Sequence, residues 1–98
     1  MVKHIILWKL KDEYATSTDV KAGIKAGLEG LLGQIPGLTA IHVQTQGLAS
    51  SNADVMLDST FVDEAALKAY ATHPAHVAVA DNNVRPYTQV RLCLDYEI

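Results

Sequence analysis

One cysteine, one tryptophan, one phenylalanine and three prolines are all that this 98-residue chain holds of those types. A lone Cys93 excludes an intramolecular disulfide and leaves no second thiol for a cysteine-based metal cluster. It fits a chain that works in a reducing cytoplasm. Basic residues are few and scattered, 8 Lys and Arg against 11 Asp and Glu for a net charge of −3. Without a basic run or stripe, the electrostatic footprint of a nucleic-acid binder is missing. Long apolar runs are missing too. The opening stretch MVKHIILWKLKDEY is broken by Lys9, Lys11 and Asp12, so it is too short for a membrane span and lacks a signal-peptide cleavage site. No glycine-rich phosphate loop and no G-x-S-x-G elbow occurs, which removes nucleotide cradles and serine-hydrolase chemistry.

What is present is aliphatic: the hydrophobic fraction is 49%, drawn from Val, Ile, Leu and Ala, a composition that argues against disorder. The length fits one domain over residues 1–98. A domain of this size buries a modest share of its surface, and self-association is a common remedy.

Periodicity gives the elements in order. Val2 to Leu10 alternates as a strand, with Val2, His4, Ile6, Trp8 and Leu10 on one face and Lys3, Ile5, Leu7 and Lys9 on the other. Thr16-Ser17-Thr18-Asp19 supplies N-cap candidates, and Val20, Ile24, Leu28, Leu31 and Leu32 follow at helical spacing. Gly23, Gly27 and Gly30 each weaken that helix by about 1 kcal/mol, for which close packing on the sheet is the simplest reason. After the Pro36-Gly37 turn, Leu38 to Gln46 and Asp54 to Phe61 form an antiparallel pair. Asp63 caps a short helix through Tyr70, and Pro74 opens a second helical turn that Asn82-Asn83 breaks. Tyr87 to Tyr96 is the last strand, with Val90, Leu92, Leu94 and Tyr96 alternating against Arg91, Cys93 and Asp95.

The order β-α-β-β-α-β is the ferredoxin-like, split βαβ arrangement: an α+β fold with a four-stranded antiparallel sheet. Helices cover one face of such a sheet. The other carries Ile5 and Leu7, and a second copy of the chain is its simplest cover, so the expected partner is the chain itself, as a homodimer.

On this topology the opening Val2-Lys3-His4-Ile5-Ile6-Leu7-Trp8-Lys9-Leu10-Lys11, the string Tyr70-Ala71-Thr72-His73-Pro74-Ala75-His76-Val77 and the ending Asp95-Tyr96 resemble the stress-responsive A/B-barrel (Dabb) family over essentially the whole chain. The resemblance implies a dimeric α+β barrel in which two sheets face each other. It extends to a plant polyketide cyclase of that family, and by that likeness Tyr70 and His76 fall on a catalytic tyrosine and histidine, and His4 on a further pocket histidine. Two departures stand out. Val55 occupies a third-strand position where the cyclase has histidine, and Asp81-Asn82-Asn83 is one residue longer than the matching stretch, which leaves the side-chain register of the last strand open.

The residues support two readings of the pair. In one, the Tyr70 hydroxyl holds the His76 imidazole as a general base that removes a proton next to a carbonyl, while a donor holds the enolate oxygen. In the other, Tyr70 packs under the sheet and His73 or His76 caps the following turn. A pocket between helices and sheet takes His4 and His73 as polar lining and Ile6, Leu57 and Val79 as apolar lining. Trp8 and Tyr87 would flank it. Cys93, on a strand with no histidine adjacent in sequence, reads as a buried structural thiol. His73-x-x-His76 has i, i+3 spacing, but Pro74 intervenes and no carboxylate or thiol lies nearby in sequence. No metal and no cofactor are expected.

Three functions follow. The first is a site for a small hydrophobic carbonyl compound, with cofactor-free proton transfer or cyclisation as its reaction class by resemblance. The second is a non-catalytic, stress-associated dimer in which the same residues only stabilise the fold. The third is a cofactor-free monooxygenase-like enzyme acting on a quinol-like substrate, by fold analogy alone.

Overall fold

The computed structural model describes residues 1–98 and places the elements in the expected order. β1 spans Val2–Leu10, α1 Thr18–Glu29, β2 Leu38–Gln44, β3 Val55–Phe61, α2 Glu64–Thr72, α3 Pro74–Val79 and β4 Thr88–Glu97. The four strands form one antiparallel sheet in the order β2-β3-β1-β4. No helix is long and apolar enough to cross a membrane.

The side-chain period of two sorts β1 as the sequence predicts. Val2, His4, Ile6, Trp8 and Leu10 are all buried under the helices. Ile24 and Leu28 of α1 meet them, joined by Leu31, Ile35, Val43, Leu57, Phe61 and Tyr70 in one core. The local signals at the helix starts hold as well. The Ser17 hydroxyl accepts from the Val20 N–H at 3.2 Å and Asp63 from the Ala66 N–H at 2.8 Å. Pro74 takes the first helical position of α3, where its missing N–H costs nothing.

The outer edge of β2 is blocked by α1. Glu29 accepts from the Val43 N–H at 2.9 Å, and Lys25 donates both to Glu29 and to the Val43 carbonyl at 2.8 Å. These bonds occupy groups that would otherwise pair with a foreign strand. The Lys25 hydrogen bond, helped by the Val43 N–H, holds the Glu29 carboxyl below its ordinary range.

Two glycines have specific work. A Cβ on Gly27 would lie 2.6 Å from Asn83 Nδ2 and 2.9 Å from Val79 Cγ1. The close approach explaining this glycine is therefore to the end of α3 and the turn that follows it, not to the sheet as the spacing suggested. Asn83 Nδ2 donates to the Gly23 carbonyl at 3.0 Å across the same contact. Gly37 sits at φ 82°, and a Cβ there would lie 2.5 Å from Ala66 Cβ. Left-handed backbone strain and overpacking add, so Gly37→Ala is expected to destabilise the chain by about 2–4 kcal/mol. Urea unfolding would show this as a lowered midpoint with an unchanged slope. An unchanged midpoint would mean that the β2 entry turn relaxes freely.

One expectation fails at Asn82-Asn83. The pair does not break the helix. Ala80–Val84 continues it as a π-helical turn, followed by a 3-10 turn over Arg85–Tyr87. A π turn accommodates one extra residue without leaving the helix, and Asp81, Asn82 and Asn83 all lie within it. The pairing of β4 with β1 decides its register. Asp95 lies opposite His4, Cys93 opposite Ile6 and Arg91 opposite Trp8, with an irregularity at Lys9/Leu10. Arg91, Cys93 and Asp95 thus share the helix-side face, while Leu92 and Leu94 pair with Leu7 and Ile5 on the far face. There Leu92 is 63% and Leu94 65% exposed.

Candidate functional site

A cleft of about 740 Å³ opens between β1, β4 and α2. Its walls include His4, Tyr70, His76, Arg91, Cys93 and Asp95. A smaller chamber of about 300 Å³ adjoins it toward the core, where Ile6, Trp8 and Leu57 supply apolar walls. His4, Tyr70, His76 and Arg91 border both spaces.

His4 is carried by the sheet. Its backbone carbonyl accepts from the Ser59 hydroxyl of β3 at 3.0 Å, and its ring is buried. Nδ1 lies 2.5 Å from Asp95 Oδ1 on β4, a short imidazole–carboxylate contact that fixes the ring. The His4 ring meets Tyr70 edge-on at 5.9 Å and Phe61 at 6.4 Å.

Tyr70 ends the buried face of α2. Its ring is 2% exposed, and its hydroxyl is the one buried side-chain polar atom of the chain without a hydrogen-bond partner. Burial raises the phenol to about 12, with Arg91 opposing, so the group stays a neutral O–H donor through the physiological range. A buried donor left unpaired costs on the order of 1–3 kcal/mol, and an oxygen inside the cleft would relieve that cost.

His76 reaches Tyr70 by a route that helical spacing does not provide. His73 is extended (φ −64°, ψ 132°), which ends α2 and redirects the chain. Two residues into α3, His76 then folds over the Tyr70 ring with centroids 4.0 Å apart and planes 34° apart. The contact is ring stacking. The expected hydroxyl-to-imidazole hydrogen bond is not formed. Instead His76 Nδ1 lies 3.3 Å from the Ala71 carbonyl. A carbonyl only accepts, so that contact places the proton on Nδ1 and leaves Nε2 with the basic lone pair. Burial is the main cause that lowers the His76 pKa, outweighing the Ala71 contact and reinforced by Arg85, His4 and Arg91. The imidazole is therefore neutral at neutral pH.

The structure gathers His4, Ile6, Trp8, Leu57, Tyr70 and His76 around the two spaces and leaves three candidates outside. His73 is the N-cap of α3, its Nδ1 accepting from the Ala75 N–H at 3.1 Å. Val79 packs toward Gly27 of α1. Tyr87 stands edge-on to Tyr14 at 4.9 Å, away from the cleft. His42 is exposed on β2 and 3.4 Å from Glu29.

Three wall residues escaped the sequence reading: Arg91, Cys93 and Asp95. Arg91 makes no ion pair with any carboxylate of the chain. Cys93 is not the buried core thiol expected. It is exposed beside the cleft, 3.8 Å from His4 Nδ1 and 3.4 Å from Asp95 Oδ1. The β4 register puts it there, and only the alternation of Arg91, Cys93 and Asp95 against Leu92 and Leu94 hinted at a polar face.

Comparison with known proteins fits this architecture. A dimeric protein of unknown function and ferredoxin-like fold from Bacteroides fragilis is 33% identical, with a TM-score of 0.88 over 99% of this chain and 95% of that one. A protein from Arabidopsis thaliana is 26% identical, with a TM-score of 0.84 over 100% of this chain and 95% of that one. A structure described as an antibiotic biosynthesis monooxygenase is 15% identical at a TM-score of 0.76, covering 100% of this chain and 98% of that one. That last likeness concerns the fold alone. No curated protein matches the chain significantly by sequence. The model of the stress responsive A/B barrel domain matches residues 2–98, from the first residue of β1 to the end of the chain, and the chain belongs to that family.

Proposed function

We propose that this chain binds a small, largely apolar carbonyl compound in the cleft and transfers a proton at the carbon next to the carbonyl. The observation that carries this reading is the unpartnered, buried Tyr70 hydroxyl stacked on a neutral His76 in the wall of a ligand-sized cleft. The two spaces fall in the size range of small-molecule sites and combine apolar walls with few polar groups. In this reading His76 Nε2 takes the proton. Tyr70 donates to the carbonyl oxygen as it gains enolate character, and the Arg91 cation favours the same charge. The His4–Asp95 contact holds the third polar wall in place.

The same reading makes the protein a homodimer closed over the exposed far face of the sheet, where Leu7, Leu92 and Leu94 form an apolar patch. The Bacteroides fragilis protein is described as dimeric, as is a ferredoxin-like protein from Thermobifida fusca.

The test is exchange in heavy water. Aryl ketones, β-diketones and β-keto thioesters are incubated with the protein, and deuterium uptake next to the carbonyl is followed by mass spectrometry. Uptake above the buffer rate for at least one class, lost in His76→Gln, is the expected result. Uptake no faster than buffer across all classes, with no compound raising the melting temperature, would leave the cleft without this chemistry.

A further inference from the structure

Proton transfer uses Tyr70, His76 and Arg91, takes the His4–Asp95 contact only as a wall, and gives Cys93 beside it no role. His4 Nδ1, Cys93 Sγ and a carboxylate oxygen of Asp95 all lie within 4.8 Å of one another. Their placement follows from antiparallel pairing. Asp95 lies directly opposite His4, and Cys93, two residues earlier on β4, projects from the same face. In sequence His4 is separated from Cys93 by 89 positions and from Asp95 by 91.

A nucleophilic relay of Cys, His and Asp does not describe this geometry. Such a relay sets thiol and carboxylate on opposite nitrogens of the imidazole, whereas here both approach Nδ1. Three donors converging on one point are instead the arrangement of ligands around an ion.

We propose that His4, Cys93 and Asp95 bind a divalent cation of the zinc class through Nδ1, Sγ and a carboxylate oxygen. Bond lengths of about 2.3 Å to sulfur and about 2.0 Å to nitrogen or oxygen put tetrahedral donor atoms roughly 3.3–3.6 Å apart. The two edges to sulfur, 3.8 Å to nitrogen and 3.4 Å to oxygen, are close to those lengths already. The nitrogen–oxygen edge is 2.5 Å, a hydrogen-bond distance, and lengthens by about 0.8 Å when a cation replaces the shared proton. The Asp95 side chain is 43% exposed and free to make that rotation. A mixed nitrogen, sulfur and oxygen set selects zinc-like ions over calcium or magnesium, which take oxygen.

Three protein ligands leave one position open, the arrangement of a reactive zinc site rather than a structural one. The Tyr70 hydroxyl independently calls for an oxygen in the same cleft, being buried, unpartnered and part of its wall. A water or substrate oxygen on the open position is an acceptor of the kind it lacks. The two readings share the Tyr70 hydroxyl but not the ligands, since neither Tyr70 nor His76 binds the ion.

Cobalt(II) tests it, as a zinc substitute with visible ligand-field bands and a thiolate-to-cobalt charge-transfer band. Full-length, chelator-stripped protein titrated with cobalt alone is expected to show both bands at one ion per chain, with zinc displacing them. Cys93→Ser should abolish the charge-transfer band. Loss of a direct ligand in His4→Gln or Asp95→Asn should weaken cobalt binding by more than the roughly tenfold floor known for outer-shell partners. Circular dichroism confirms that each variant is folded. His76→Gln should keep the cobalt spectrum even where it abolishes proton exchange, so the two readings fail separately. No charge-transfer band in the unaltered protein, or one that survives Cys93→Ser, would overturn the site.

Discussion

Leu92→Asp is expected to turn the protein from a dimer into a monomer at micromolar concentration, with its fold kept. On a single chain Leu92 is 63% exposed in the middle of β4, and a substitution at such a surface position shifts stability by about 0.5 kcal/mol or less. The cost arises on association. Leu92 lies opposite Leu7 and is followed on the same face by Leu94, so a sheet-to-sheet dimer buries it against its partner. Two-fold symmetry then brings two carboxylates into an apolar contact where each loses water. An uncompensated buried charge costs on the order of 3–5 kcal/mol, which raises the dissociation constant by roughly 10²–10⁴-fold. Light scattering of the eluting protein gives the mass directly, and circular dichroism reports the fold. A Leu92→Asp protein that stays dimeric would place the interface elsewhere.

His76→Gln is expected to lower the rate of carbonyl-adjacent proton exchange by about 10²–10⁴-fold, the usual share of a positioned base. Tyr70→Phe is expected to lower it by about 10²–10³-fold, the effect of one lost donor to a developing oxyanion. Binding of a non-exchanging analogue should change much less than the rate in both variants, because the interactions strengthen as charge develops. The pH profile gives an independent check. Burial holds His76 below its ordinary value of 6.5, so the base is already neutral at pH 6.5 and the acid limb of the profile falls below it. Stability follows the same sign. Between the lowered folded value and 6.5 the unfolded chain binds a proton that the folded chain excludes, so stability falls as pH drops through that window and His76→Gln flattens the fall. A ring-proton titration of His76 by NMR with a midpoint at or above 6.5 would mean that the imidazole is solvated and outside the cleft wall.

Much of the site was legible because its carriers obey short-range rules. The alternation of β1 assigned His4, Ile6 and Trp8 to one face. Asp63 and Pro74 set the helix starts that bring Tyr70 and His76 near each other. What escaped was the register of β4 and the roles of side chains at the turn between α2 and α3. Of the two sequence readings of His73, lining and cap, the structure shows the cap, because its extended backbone points its ring at the next turn. Val79 reads as pocket wall and serves the α1 contact, because Gly27 lets the two segments approach.

By itself, then, the sequence determined the strand and helix order, the caps, the buried face of β1 and the apolar far face that needs a cover. Those features rest on periodicity and turn chemistry acting over a few residues. Only the tertiary structure decided that Tyr70 and His76 stack instead of hydrogen bonding, and that Arg91, Cys93 and Asp95 stand in the cleft beside His4. The reason is register. A shift of β4 by one residue would exchange this polar set for Leu92 and Leu94, and it is the pairing of β4 with β1, beyond the irregularity at Lys9/Leu10, that sets Arg91, Cys93 and Asp95 beside Trp8, Ile6 and His4.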